Sequence, residues 1–104
     1  MANIQRGEIS AVIDGEDRVL CLTLGALAEL EARLMAGDLV GLSERFASGR
    51  VSARDLTAIL GAGLRGGGNA VSDDDLARMA IEGGLSGAAE IAARLLRATF
   101  GGGA

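Results

Sequence analysis

The sequence predicts an α+β domain, an N-terminal β-hairpin packed on about five short α-helices, and three observations carry that prediction. Residues 8–24 alternate apolar and polar side chains with a period of two around a turn signal. From residue 24 onward the apolar spacing becomes helical, in segments that open on Ser, Thr or Asp and close on Gly. The chain is 104 residues long with 49% hydrophobic residues, enough for a single domain over 1–104 and too little for two.

The hairpin is broken by Asp14-Gly15-Glu16-Asp17, where Gly15 supplies positive φ. Reading this as a four-residue break places Ile13 opposite Arg18, Ala11 opposite Leu20 and Ile9 opposite Leu22. One face then carries Ile9, Ala11, Ile13, Leu20 and Leu22, and this is the expected core face. The other face carries Ser10, Val12, Val19, Cys21 and Thr23. Its side chains are apolar enough to need a cover, supplied either by a helix folding back or by a second protein, and the bare strand edges invite strand addition. Val12, Val19 and Cys21 are therefore the expected partner surface.

Thr23 is placed to cap a helix over residues 24–35, with Leu27, Leu30 and Leu34 on one stripe and Glu29 and Arg33 as an i,i+4 pair outside it. A shorter helix is expected over residues 38–47, with Leu39, Leu42 and Phe46 inward. Ser52 and Asp55 form a capping-box pattern opening a third helix, whose stripe is Leu56, Ile59, Leu60 and Leu64. Gly66-Gly67-Gly68-Asn69 ends it. Ser72 and Asp75 repeat the pattern for a fourth helix, with Leu76, Met79 and Ala80 on its stripe and a stop at Gly83-Gly84. The last helix spans residues 86–100, with Ile91, Ala92, Leu95 and Leu96 inward and Glu90 paired with Arg94. Ala88, Ala89, Ala92 and Ala93 let another helix approach closely, and residues 101–104 form a frayed, flexible tail. Phe46 and Phe100 are the only aromatic residues, and both read as core.

Composition argues against most chemistry. His and Lys are absent, and Cys21 stands alone in a strand with no imidazole to activate it, so no catalytic residue is expected and the chain reads as a non-enzyme. No cofactor is expected either. Gly61-Ala62-Gly63-Leu64-Arg65-Gly66 satisfies a bare G-x-G-x-x-G, but its glycines fall in a predicted helix with no strand before it, so they mark a close helix contact and a helix end. Asp73, Asp74 and Asp75 are consecutive, unlike the alternating oxygen ligands of a calcium loop, and their charge suits a helix N-terminus better than a metal. A helix-turn-helix over residues 52–83 would lead with that same acidic cluster, which phosphates would repel. The net charge is −4 and the arginines are scattered, which argues against nucleic acid as a partner. No apolar run reaches the length of a membrane helix, and a single cysteine carries no sign of an oxidising compartment, so a cytoplasmic protein is expected.

Three stretches carry a resemblance. Leu22-Thr23-Leu24-Gly25-Ala26-Leu27-Ala28-Glu29-Leu30-Glu31, Leu42-Ser43-Glu44-Arg45-Phe46 and residues 52–65 resemble the gene transfer agent family of phage-type tail assembly chaperones. The resemblance implies a chaperone in the cytoplasm of a bacterial host that binds the tape-measure protein and the tail-tube protein; a homo-oligomer is a separate expectation for the chain. Some members of the class are labelled tail-tube proteins instead, so the second reading is a structural tail component retained in the particle, and the third is a helix-turn-helix regulator.

Overall fold

A computed structural model of the chain describes residues 7–34 and 52–101. The expected helix over residues 38–47, and Phe46 with it, lies outside the described residues. Within them, the hairpin of β1 (Glu8–Ile13) and β2 (Glu16–Cys21) leads into α1 (Leu24–Leu34), α2 (Ala53–Gly66), the single-turn α3 (Asp73–Ala77) and α4 (Gly84–Leu96). A π-helical turn, Arg97–Gly101, closes the described chain.

The hairpin forms where the alternation places it, but in a register two residues tighter than a four-residue break gives. Ile13 faces Glu16, Ala11 faces Arg18 and Ile9 faces Leu20. Asp14 and Gly15 alone make the loop, at φ 55° and 78°. Two successive positive φ values define the two-residue turn whose twist matches that of the strands, and Asp-Gly is its preferred sequence. A shift of two keeps every side chain on its face, so the expected core face survives: Ile9, Ala11, Ile13, Leu20 and Leu22 are all buried. The difference is that Glu16 leaves the loop and joins Arg18 at the outer end of that face, where the two pair at 3.0 Å.

Helix α2 lies at the centre, packed against β2, α1, α4 and α3. Its Ser52 cap is complete, with Asp55 N–H donating to Ser52 Oγ at 3.0 Å and Ser52 N–H donating to Asp55 Oδ2 at 3.2 Å. Leu56 and residues 58–64 are buried without a break, as befits a helix surrounded on most sides. It ends in a Schellman arrangement: Asn69 N–H donates to Leu64 O at 2.8 Å and Gly68 N–H to Arg65 O at 3.1 Å. Gly68, at φ 93°, occupies the left-handed position that this ending needs.

The last turn of α2 touches the hairpin through backbone. A Cβ at Gly66 would collide with Cys21 O, and one at Gly67 with Val19 O. At Gly63 it would stand 2.6 Å from the Leu95 side chain of α4. The glycines that mimic a nucleotide loop in the sequence are thus a packing seam. Asn69 completes it, its Nδ2 donating to Val19 O at 2.8 Å and to Leu64 O at 3.0 Å while its Oδ1 receives Arg18 Nη1 at 3.5 Å.

Three expectations for the helices are corrected. The fourth helix stops at Ala77 rather than near residue 83, because residues 78–81 turn back along β1. There Asp14 N–H donates to Ala80 O at 2.7 Å, and Ile81 bridges Ile13. Pairing with a sheet edge satisfies those backbone groups as well as another helical turn would. A five-residue helix also removes the recognition helix that a helix-turn-helix needs. The pairs Glu29–Arg33 and Glu90–Arg94 give way to longer-range partners, Glu29 turning to Arg65, Arg33 to Asp73 and Arg94 to the Ser10 carbonyl. Phe100 is 45% exposed instead of buried. Thr99 Oγ1 donates to the Leu95 carbonyl at 2.7 Å, the last turn widens to π geometry, and Ala98 is the residue of that turn packed on the core. Ile91, Ala92, Leu95 and Leu96 are buried as expected, and α1 is capped by Thr23 Oγ1, which accepts from Ala26 N–H at 3.1 Å.

Backbone against backbone cannot relax as a side chain can. Gly66→Ala is therefore expected to destabilise the protein by about 2–3 kcal/mol through overpacking. Gly25→Ala, on the open side of α1 with only Thr23 Oγ1 at 4.0 Å, should be neutral or stabilising by about 0.5 kcal/mol. Urea unfolding of the two variants checks the contrast, and equal stabilities would show that no close seam exists.

Candidate functional site

Neither edge of the hairpin is open along its length. With Ile13 and Glu16 flanking a two-residue loop, residues 8, 10 and 12 of β1 and 17, 19 and 21 of β2 turn their backbone groups outward. On β2, Val19 O is taken by Asn69 and Cys21 O abuts Gly66. On β1, Arg94 Nη2 donates to Ser10 O at 2.9 Å, and the Ile81 bridge covers the tip. Strand addition, expected from a bare ribbon, loses its template at these positions.

What remains available is side-chain surface, and it falls in two places. The first is the outer hairpin face. Val12, Val19 and Cys21 share it as expected, Val12 52% exposed and the other two half-buried, with Ser10 paired to Val19 and Glu8 to Cys21 across the strands. The second was not foreseen from the sequence. An open apolar groove of about 260 Å³ runs between the first turns of α2, α3 and the start of α4, floored by Leu56, Leu60 and Leu76 and walled by Met79, Ile81 and Leu85. Leu85 stands on its rim, 65% exposed. The signal was present: counting back from Leu95, Ala92 and Ala88 by helical steps reaches Leu85, so the α4 stripe runs one turn past the helix that covers it.

A chain of alternating charges ties three helices together on another side. Glu29 of α1 pairs with Arg65 of α2, Arg65 Nη1 with Asp73 Oδ1 at 3.0 Å, and Asp73 Oδ2 with Arg33 of α1. Arg65 also donates to Val71 O at 2.9 Å. Burial works against the charge on Arg65, but the hydrogen bonds to Glu29 and Asp73 outweigh it and raise its pKa. Asp73, 17% exposed, sits over Gly61, where a Cβ would displace it. The acidic cluster thus divides its work. Asp73 holds arginines, and Asp75 closes the second capping box, accepting from Ser72 N–H at 3.1 Å and donating its own N–H to Ser72 Oγ at 3.0 Å. The Ser72 backbone N–H, then the Ser72 side chain, holds the Asp75 carboxyl below its ordinary value.

Among the described residues this arrangement aligns no nucleophile with a base. No three His, Cys, Asp or Glu side chains among them are grouped to hold a metal ion, and no described helix is long and apolar enough to cross a membrane.

The depressed Asp75 pKa gives a titration prediction. A carboxylate with a lowered folded-state pKa contributes stability above its unfolded pKa and loses it as pH falls through the folded value. Ser72→Ala should move the Asp75 carboxyl upward toward the ordinary carboxylate range in an NMR pH titration. An unmoved midpoint would mean that the box does not hold the charge.

Among known proteins, a family model described as "Phage tail tube protein, GTA-gp10" matches residues 6–102. No curated protein and no solved structure matches. The family match overturns the assembly-chaperone expectation, because the matching family is described by the tube itself and not by a helper that leaves it. It agrees with the second reading, a structural tail component.

Proposed function

Since the chain belongs to the phage tail tube protein family, GTA-gp10, we propose that it is a structural subunit of the tail of a phage-like particle or gene transfer agent, retained in the finished tube. The family match over nearly the whole chain is the observation that carries this reading. The surface chemistry is compatible with it. A tube subunit must present contact area to its own copies, and this chain exposes aliphatic groups at Val12, Leu24 and Leu85 and the ring of Phe100.

In this reading copies meet through side-chain faces, because Asn69, Arg94 and the Ile81 bridge already occupy backbone groups along the hairpin edges. The subunit is made and assembled in the bacterial cytoplasm, and it performs no catalysis. The tape-measure protein is proposed as a second neighbour, reached from the tube wall.

Purified particles test the proposal. Quantitative mass spectrometry should find the chain in a fixed ratio to the other tail proteins, and cross-linking of the same particles should join copies of it to one another and to the tape-measure protein. Its absence from particles that contain a complete tail would overturn the structural reading. Its presence without a cross-link to the tape measure would remove only that neighbour.

A further inference from the structure

We propose that α1 is a strap held shut by charge, which opens as a local unit, ahead of the remaining fold, when its ion pairs are screened by salt.

The helices are unevenly anchored. Among the described residues α2 buries Leu56 and the whole of 58–64, whereas α1 buries Ala26 and Leu30 and tucks Leu27 only partly against the core. Leu24 at its start is 84% exposed. Local opening is easiest where few apolar groups are buried, and α1 is the long helix that fits that description.

Beside the apolar anchor of Leu30 and Ala26, α1 is held by the ring of charge. Glu29 reaches Arg65 and, one turn on, Arg33 reaches Asp73, while Asp73 and Arg65 join each other beneath them at 3.0 Å. The circuit leaves α1, crosses α2 and the first residue of α3, and returns to α1. Glu29 and Arg33 are about one-third and one-half exposed, so salt reaches both links. The other charged groups nearby do not substitute for these. Glu31 on α1 and Asp74 on α3 are exposed, and Arg18, the nearest cation of β2 in sequence, is engaged with Glu16 and Asn69. Salt therefore weakens this four-member circuit of Glu29, Arg65, Asp73 and Arg33 directly.

The seat beneath the strap is a close contact. Ala26 faces Gly66, where an added Cβ would lie 3.3 Å from the Ala26 methyl. Opening α1 therefore bares the glycine end of α2 and withdraws Leu30 from the core, while α2 keeps its packing against β2 and α4.

Hydrogen–deuterium exchange on the full chain tests the strap. At neutral pH, protection of the amides in residues 27–33 should fall about tenfold between 50 mM and 1 M NaCl, while those in residues 59–64 change by less than about threefold. The double variant Glu29→Gln, Asp73→Asn should lower α1 protection at low salt and abolish its salt response, whereas Glu31→Gln should leave both as in the parent. Equal protection of α1 and α2 across the salt series, or an α1 that ignores salt, would overturn the proposal, and the parent protein alone is enough to show either result.

Discussion

The architecture depends on one backbone contact, the last turn of α2 laid directly against β2. No side chain intervenes between Gly66 and Cys21 O or between Gly67 and Val19 O, and Asn69 fastens the same junction by donating to Val19 and Leu64. A two-stranded ribbon is marginal by itself. Here it is fixed by a helix that approaches close enough to occupy its edge. That approach also sets the position of α2 for the other helices, with Gly63 admitting Leu95 of α4 and Gly61 admitting Asp73 at the head of α3.

Once α2 covers one edge of the hairpin, the chain that follows deals with the other. Residues 78–81 leave the helical path to meet Ile13 and Asp14, and Arg94 reaches Ser10 O from α4. A sheet with engaged edges is poor at adding strands. Its contacts with other copies in a tail tube would then fall to faces: the Val12 side of the hairpin and the groove rimmed by Leu85. The hydrophobic surface, in other words, is where the backbone has nothing left to offer.

The sequence was readable where the causes are local. The positive φ at Gly15, the two Ser-x-x-Asp capping boxes and the aliphatic stripes of α2 and α4 are short-range patterns, and each is found in place. Long-range causes were not readable. The end of α3 is decided by a strand tip more than sixty residues away, in Asp14 to Ala80. Glu29 ignores its helical neighbour for Arg65, thirty-six residues on. The register slipped by two because the alternation is satisfied equally by both pairings, and only the preference of Asp-Gly for a two-residue loop separates them. Of the candidate surface, Val12, Val19 and Cys21 were legible from their face and the groove was not, since its walls come from three separate helices and the segment before α4. Function was legible as far as the tail family. A helper and a component of a tube need the same aliphatic contact area and no reactive centre, so nothing in the residues favoured one over the other.

The seam is tested most directly by nuclear Overhauser spectroscopy of the unmodified protein. The account predicts cross-peaks between the Gly67 α-protons and the Leu20 α-proton, and between the Asn69 side-chain amide and residues of β2, persisting as strongly as those within the hairpin. A hairpin whose β2 edge shows no contact to Gly66, Gly67 or Asn69 would contradict it.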